Sequence, residues 1–200
     1  MISTCYLILD SMALAPRKKL WSTPTEVLDE ALALLALTAE DVAVDIGAGD
    51  GRFLLLCAEK TPVRLCMGVE IDEERGASAQ AAIVARSLQE RVKMIIGNAL
   101  EQDYSEGTAF FLYLVPRGLR IILPLLKRVG RRLRVVTYMS PFPDSEKPLR
   151  VIKVSTEQHP EAQWPLYYYE LEPGAGAGAG AGAEKGTETH NETLGQEPPP

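Results

Sequence analysis

Cysteine, histidine and long apolar runs are all scarce in this sequence, and each scarcity removes a class of function. The three cysteines, Cys5, Cys57 and Cys66, show no CxxC or Cys/His spacing, so neither a zinc site nor a disulfide scaffold is written into them. Cys57 and Cys66 read as reduced, buried small side chains of an intracellular protein. The two histidines, His159 and His190, fall late, in loop or tail, which leaves a histidine base or a metal centre without support. No stretch reaches the ~20 apolar residues that cross a bilayer. The run from Met1 to Ala15 is broken by Asp10 and followed by Arg17, Lys18 and Lys19, whereas a secretory signal puts its positive charge first.

What is present is a chain of 200 residues, 46 % apolar, enough to close one sizeable core. The formal charge of −6 is uneven: after Pro173 the chain holds Glu184, Glu188, Glu192 and Glu197 against Lys185 alone. That stretch opens as alternating Gly-Ala and has no hydrophobic periodicity to bury, so residues 173–200 read as a disordered tail. Residues 1–20 read as an N-terminal extension, leaving 21–172 as the domain.

Within the domain, helical and strand patterns alternate. Pro24 follows Ser22-Thr23 as a first helical residue, and Val27, Leu28, Ala31, Leu34 and Leu35 recur at helical spacing to about Leu37. The pattern then predicts strand 42–46, helix 52–60, strand 65–71, an alanine-rich helix 73–88 and strand 92–96. It continues with strand 109–115, a helix opened by Pro116, strand 133–138 and, after a proline-punctuated loop at 140–144, strands 149–154 and 166–171. Seven strands with helices between the early ones imply an α/β, Rossmann-like, doubly wound, mostly parallel sheet closed by an antiparallel C-terminal edge hairpin. A ligand of such a sheet lies outside the carboxyl ends of the central strands.

Those ends carry the chemistry. Asp45-Ile46-Gly47-Ala48-Gly49-Asp50-Gly51-Arg52 follows a strand and opens a helix, the context in which a glycine motif is informative. Gly47, Gly49 and Gly51 allow sharp turning and close approach of a ligand to the main chain. A dinucleotide fingerprint would space its glycines GxGxxG; here the third comes one residue early. Asp45 and Asp50 also suit a cationic ligand better than a pyrophosphate. Glu70, ending the second strand, is placed to accept hydrogen bonds from both ribose hydroxyls of a nucleoside. Asp72 is the alternative carboxylate, although an acid there also starts the following helix well. Gly97-Asn98-Ala99 follows the third strand, where Asn98 either reads an adenine edge or forms a turn.

Together, Asp45 to Arg52, Glu70-Ile71-Asp72 and Gly97-Asn98-Ala99 resemble the three cofactor motifs of class I S-adenosylmethionine-dependent methyltransferases. Ser22-Thr23-Pro24-Thr25, Phe111 to Pro116 and the proline-rich loop resemble more narrowly a family of protein-lysine methyltransferases. That family includes the mitochondrial enzymes acting on the adenine nucleotide translocase and the ATP synthase c subunit. The resemblance implies S-adenosylmethionine as cofactor, held by Asp45, Gly47, Gly49, Gly51, Glu70, Asn98 and Ala99. It implies a protein substrate presenting a lysine, and an intracellular, mitochondrial setting.

A lysine nucleophile must be held neutral, and an apolar channel does this by disfavouring the charged form. Trp21, Phe111, Tyr113, Tyr138 and Phe142 are candidate walls, with ordinary core packing as the alternative for each. Tyr113 and Glu26 are the candidate catalytic residues. Glu26 either orients the amine or complements the dipole of the helix starting at Pro24. The Asn/Asp-Pro-Pro-aromatic segment that grips nucleobase amino groups is replaced by Leu114-Val115-Pro116-Arg117, which disfavours base N-methylation, and the net acidic chain argues against nucleic acid as a partner. Seven cations between Arg117 and Arg134, with no intervening acid, form either a solvated face or a docking patch for an acidic partner or anionic membrane surface. Methylation of a small molecule or RNA, and a silent cofactor-binding module, are the competing functions.

Overall fold

The computed structural model describes residues 22–174; the N-terminal extension and nearly all of the tail, with Trp21 and Cys5, lie outside the described residues. A seven-stranded sheet runs in the order β3-β2-β1-β4-β5-β7-β6. The strands are β1 (Val42–Ile46), β2 (Leu65–Glu70), β3 (Val92–Ile96), β4 (Ala109–Leu112), β5 (Leu133–Tyr138), β6 (Arg150–Val154) and β7 (Trp164–Leu171). Four helices intervene: α1 (Thr25–Leu35), α2 (Arg52–Lys60), α3 (Glu73–Ala85) and α4 (Pro116–Lys127). The first five strands pair in parallel, and β7 pairs antiparallel with both β5 and β6. The expected edge hairpin is therefore present.

Period-two alternation decides which side chains meet which helices. In β1, Val42, Val44 and Ile46 join Leu119, Ile122 and Leu126 of α4 in one core, while Ala43 packs with Val27, Leu54 and Ile83 of α1, α2 and α3 in the other. Asp45 shares the face of Ala43, so it points toward α1 and α2. Gly68 in β2 lets these layers close: a Cβ there would stand 2.3 Å from Leu54 Cδ1 and 3.0 Å from Ala48 Cβ.

Element ends differ from expectation where tertiary partners run out. β4 stops at Leu112 rather than Val115, because its partner β1 ends at Ile46, opposite Leu112, where the glycine turn begins. Helix α1 stops at Leu35 because Ala36 turns left-handed (φ +46°) and donates to Leu32 O. Pro24 is the cap of α1 rather than its first residue, and no side-chain cap bond from Ser22 or Thr23 forms. Helix α3 ends at Ala85, short of Leu88, whose N–H bends back to Ile83 O past a left-handed Ser87 (φ +56°).

The chain steps outward from β1 to β2 to β3, then returns to β4 on the other side of β1. This reversal opens a crevice at the carboxyl ends of β1 and β4, the general ligand position of open α/β sheets.

Candidate functional site

The crevice floor is the turn between β1 and α2. Gly47, Gly49 and Gly51 all take positive φ (+85°, +56° and +76°), a region costly for side chains with a Cβ. Two of them also leave little room: a Cβ on Gly47 would meet Leu114 at 3.2 Å and one on Gly51 would meet Ala79 Cβ at 3.0 Å. The N–H groups of Gly47 and Ala48 both donate to Val69 O, which hangs the turn on the end of β2.

Glu70 is buried and tightly engaged. Its Oε2 accepts from Gly49 N at 2.8 Å and its Oε1 from Asp72 N at 3.0 Å. The carboxylate thus braces the glycine turn from the next strand, a contact that spacing alone does not reveal. Asp72 resolves as the helix cap, its Oδ1 accepting from Arg75 N at 3.0 Å. Asp45, 5 % exposed, is pushed well above the usual carboxylate range by its burial and by the neighbouring Glu70 and Asp50 carboxylates. A cation bound at this face would relieve that burden.

Asn98 makes a turn: its Oδ1 accepts from Leu100 N, its Nδ2 donates to Glu101, and Ala99 O accepts from the Tyr104 hydroxyl. These bonds hold the residues after β3 in place, and Asn98 and Ala99 are absent from the crevice lining.

The crevice is lined by Ser22, Thr23, Asp45, Gly49, Phe111 and Tyr113, among others. Phe111 stacks on Phe53 with centroids 4.7 Å apart, and Tyr113 lies tilted against Tyr138 at 4.6 Å. Burial, with the nearby Tyr113, pushes the Tyr138 hydroxyl up to about 12, so it stays protonated at neutral pH. Phe142 is a correction: it sits in the opposite core, edge-on to Tyr169, whose hydroxyl accepts from Phe142 N. It walls no channel here, because the loop after β5 folds over the α4 face. Glu26 is absent from the crevice lining; its Oε1 accepts from Glu157 N at 3.2 Å and ties α1 to the β6–β7 connection.

Residues 39–108 match the family model described as "Putative methyltransferase". Over 128 residues the chain is 30 % identical to a protein-lysine N-methyltransferase of Saccharolobus islandicus (strain REY15A), covering 64 % of this chain and 80 % of that protein. The chain belongs to the class I S-adenosylmethionine-dependent methyltransferases. Among solved structures, this methyltransferase is similar to an RNA methyltransferase from Salinibacter ruber in complex with S-adenosyl-L-homocysteine. The TM-score is 0.67 and the identity 25 %, over 86 % of this chain and 100 % of that one. The B. subtilis M1A22 tRNA methyltransferase TrmK shares the fold, with TM-score 0.61 and 13 % identity over 76 % and 68 % of the two chains.

The donor set fits S-adenosylmethionine. The glycine turn brings its backbone to the crevice, and the buried carboxyl of Asp45 lines it, where a cationic amino acid would suit it. Among the described residues, no cluster of His, Cys, Asp and Glu is arranged to hold a metal ion, and no helix is long and apolar enough to cross a membrane. Cys57 and Cys66 are both buried, free thiols.

The basic run of the methyltransferase is largely answered by acids from distant segments. Arg134 pairs with Asp41, Arg132 with Glu170 and Glu172, and Lys127 with Glu146. Arg134 also donates to the carbonyls of Leu35 and Ala36, closing the end of α1. Arg117 and Arg120 of α4, Arg128 at its C-cap and Arg131 beyond it are exposed.

Proposed function

We propose that this methyltransferase transfers a methyl group from S-adenosylmethionine to a lysine side chain of a protein. The observation that carries the reading is the aromatic wall beside the cofactor turn, formed by Phe111 and Tyr113 with Tyr138 behind. The kinship with an archaeal protein-lysine N-methyltransferase supports it. Bound cofactor supplies an electrophilic methyl on a sulfonium; the protein's own residues align the acceptor with it and keep water out.

In this reading Tyr113 is the catalytic wall residue. Its ring, packed on Tyr138, lines a low-dielectric passage that favours the neutral amine over the ammonium. The neutral amine held at this wall would be the acceptor of that methyl, and its surplus proton would leave to water. Asp45, Gly47, Gly49 and Gly51 hold the amino-acid end of the cofactor, Glu70 the ribose, and the main chain of the Asn98–Ala99 turn the adenine, since the Asn98 amide is spent on the turn itself. Glu26 acts at a distance, by holding the β6–β7 connection against α1. A mitochondrial setting rests on the family resemblance and is checked by fractionation.

RNA is the second reading, favoured by the exposed arginines of α4 and by the Salinibacter ruber structure. The experiment that separates them incubates the chain with methyl-labelled S-adenosylmethionine and cell extract. Label on lysine in a discrete protein band supports the first reading. Label confined to RNA or small molecules overturns it while keeping the cofactor site.

A further inference from the structure

Ser22 and Thr23 form one wall of the crevice although they belong to no strand or helix. Thr23 is nonetheless buried, with 5 % exposure. No side chain caps helix α1, which begins two residues later. Something else must hold this wall in place, and one side chain reaches it from the cofactor turn. Arg52 Nη1 donates to Thr23 O at 3.2 Å. The rest of the guanidinium is committed to Asp50: Nε lies 3.0 Å and 3.1 Å from its two oxygens and Nη2 2.5 Å from Oδ2. Asp50 is itself part of the turn, between Gly49 and Gly51, and lines the crevice.

We infer that Arg52 is a positioning residue that couples the cofactor turn to the acceptor wall at Ser22–Thr23. A guanidinium is a rigid planar fork, so Asp50, by gripping two of its nitrogens, fixes where the third one points. Asp50 sits between two glycines in left-handed conformations, where the backbone responds most readily to a ligand settling on the turn. A shift or stiffening of Asp50 is then passed through Arg52 to the Thr23 carbonyl and the first turn of α1. Arg52 also separates the crevice from a hollow of about 190 Å³ lined by Thr25, Leu28, Leu55, Leu56 and Arg86. On that side the start of α1 borders this hollow, and among the described residues it is Arg52 whose side chain bonds the wall to the turn. A lysine could not replace it, since an ammonium has no fixed second donor direction.

The inference concerns occupancy of the cofactor site and holds whether the acceptor is lysine or RNA. Hydrogen exchange of the full chain tests it, with S-adenosylhomocysteine as the probe. In the wild type, saturating probe is expected to slow exchange of the first hydrogen-bonded amides of α1, Leu28 to Ala31, by about tenfold. Arg52→Met, brought to the same saturation by calorimetry, is expected to retain less than about twofold of that protection. Asp50→Ala, which leaves the arginine in place without its guide, should behave like Arg52→Met and serves if that variant does not fold. Full protection of α1 in Arg52→Met, or no protection in the wild type, would overturn the coupling. Loss of all probe binding in Arg52→Met would also overturn it, by making Arg52 a cofactor ligand.

Discussion

Replacing Glu70 by alanine separates two roles that its carboxylate is expected to combine. In the structure it accepts from Gly49 N, in a buried bond, and from Asp72 N, in a partly buried one. Alanine leaves the Gly49 N–H without a partner, at about 1–3 kcal/mol. The Asp72 N–H can recover water, so its loss costs about 0.5–1.5 kcal/mol. The expected destabilisation is therefore about 1.5–4.5 kcal/mol, read from urea unfolding of the ligand-free protein. Glu70→Gln keeps one acceptor oxygen and turns an NH₂ toward the other donor, so it should retain about half of that stability. If the carboxylate also takes the ribose hydroxyls, both variants lose charged hydrogen bonds worth about 1.5–3 kcal/mol, or about 10–100-fold in affinity. Calorimetry with S-adenosylhomocysteine reads this directly. Unchanged affinity in a destabilised Glu70→Ala would leave Glu70 a brace of the glycine turn and remove it from the ribose. A stability loss below about 0.5 kcal/mol would refute the bracing itself.

Asp45→Asn is expected to stabilise the ligand-free protein and weaken cofactor binding by about tenfold or more. The folded-state pKa of Asp45 lies above its unfolded value, so the wild type loses stability as pH rises above about 4 and the buried acid is asked to ionise. Thermal melts of both proteins across that range should diverge upward in pH; parallel curves would contradict the burden placed on Asp45. Asp41 has the opposite sign. Although burial works against ionisation, Arg134, Thr38 and Thr108 hold its carboxyl at about 2, below the ordinary 3.8. Its roughly 2 kcal/mol is present above about pH 4 and is lost as pH falls toward 2. Asp41→Asn should be less stable than the wild type at neutral pH, with the difference vanishing in acid, as urea midpoints against pH will show. Tyr113→Phe should keep methyl transfer within about threefold while Tyr113→Ala loses about tenfold or more, because the wall works through apolar area. Equal damage in both, in single-turnover rates, would instead assign work to the hydroxyl.

Local chemistry was legible in the sequence alone. Three glycines at alternate positions between a strand pattern and a helix pattern mark a tight turn, and all three take positive φ. Asp72, four apolar strands in a row and a proline-opened α4 announce themselves because each depends on neighbours within a few residues. The sheet class followed from the same alternation. What tertiary structure decided involves residues far apart in the chain. Strand β4 ends early because β1 has turned away. Phe142 leaves the expected channel because Tyr169, 27 residues on, takes its N–H. Glu70 faces Gly49 across 21 residues, and Arg52 reaches Thr23 across 29. The basic run from Arg117 to Arg134 is uninterrupted only along the chain; in space Asp41, Glu146, Glu170 and Glu172 stand against its cations. Charges and hydrogen bonds act through distance rather than sequence separation, so the turn could be read from its residues and its bracing only from the fold.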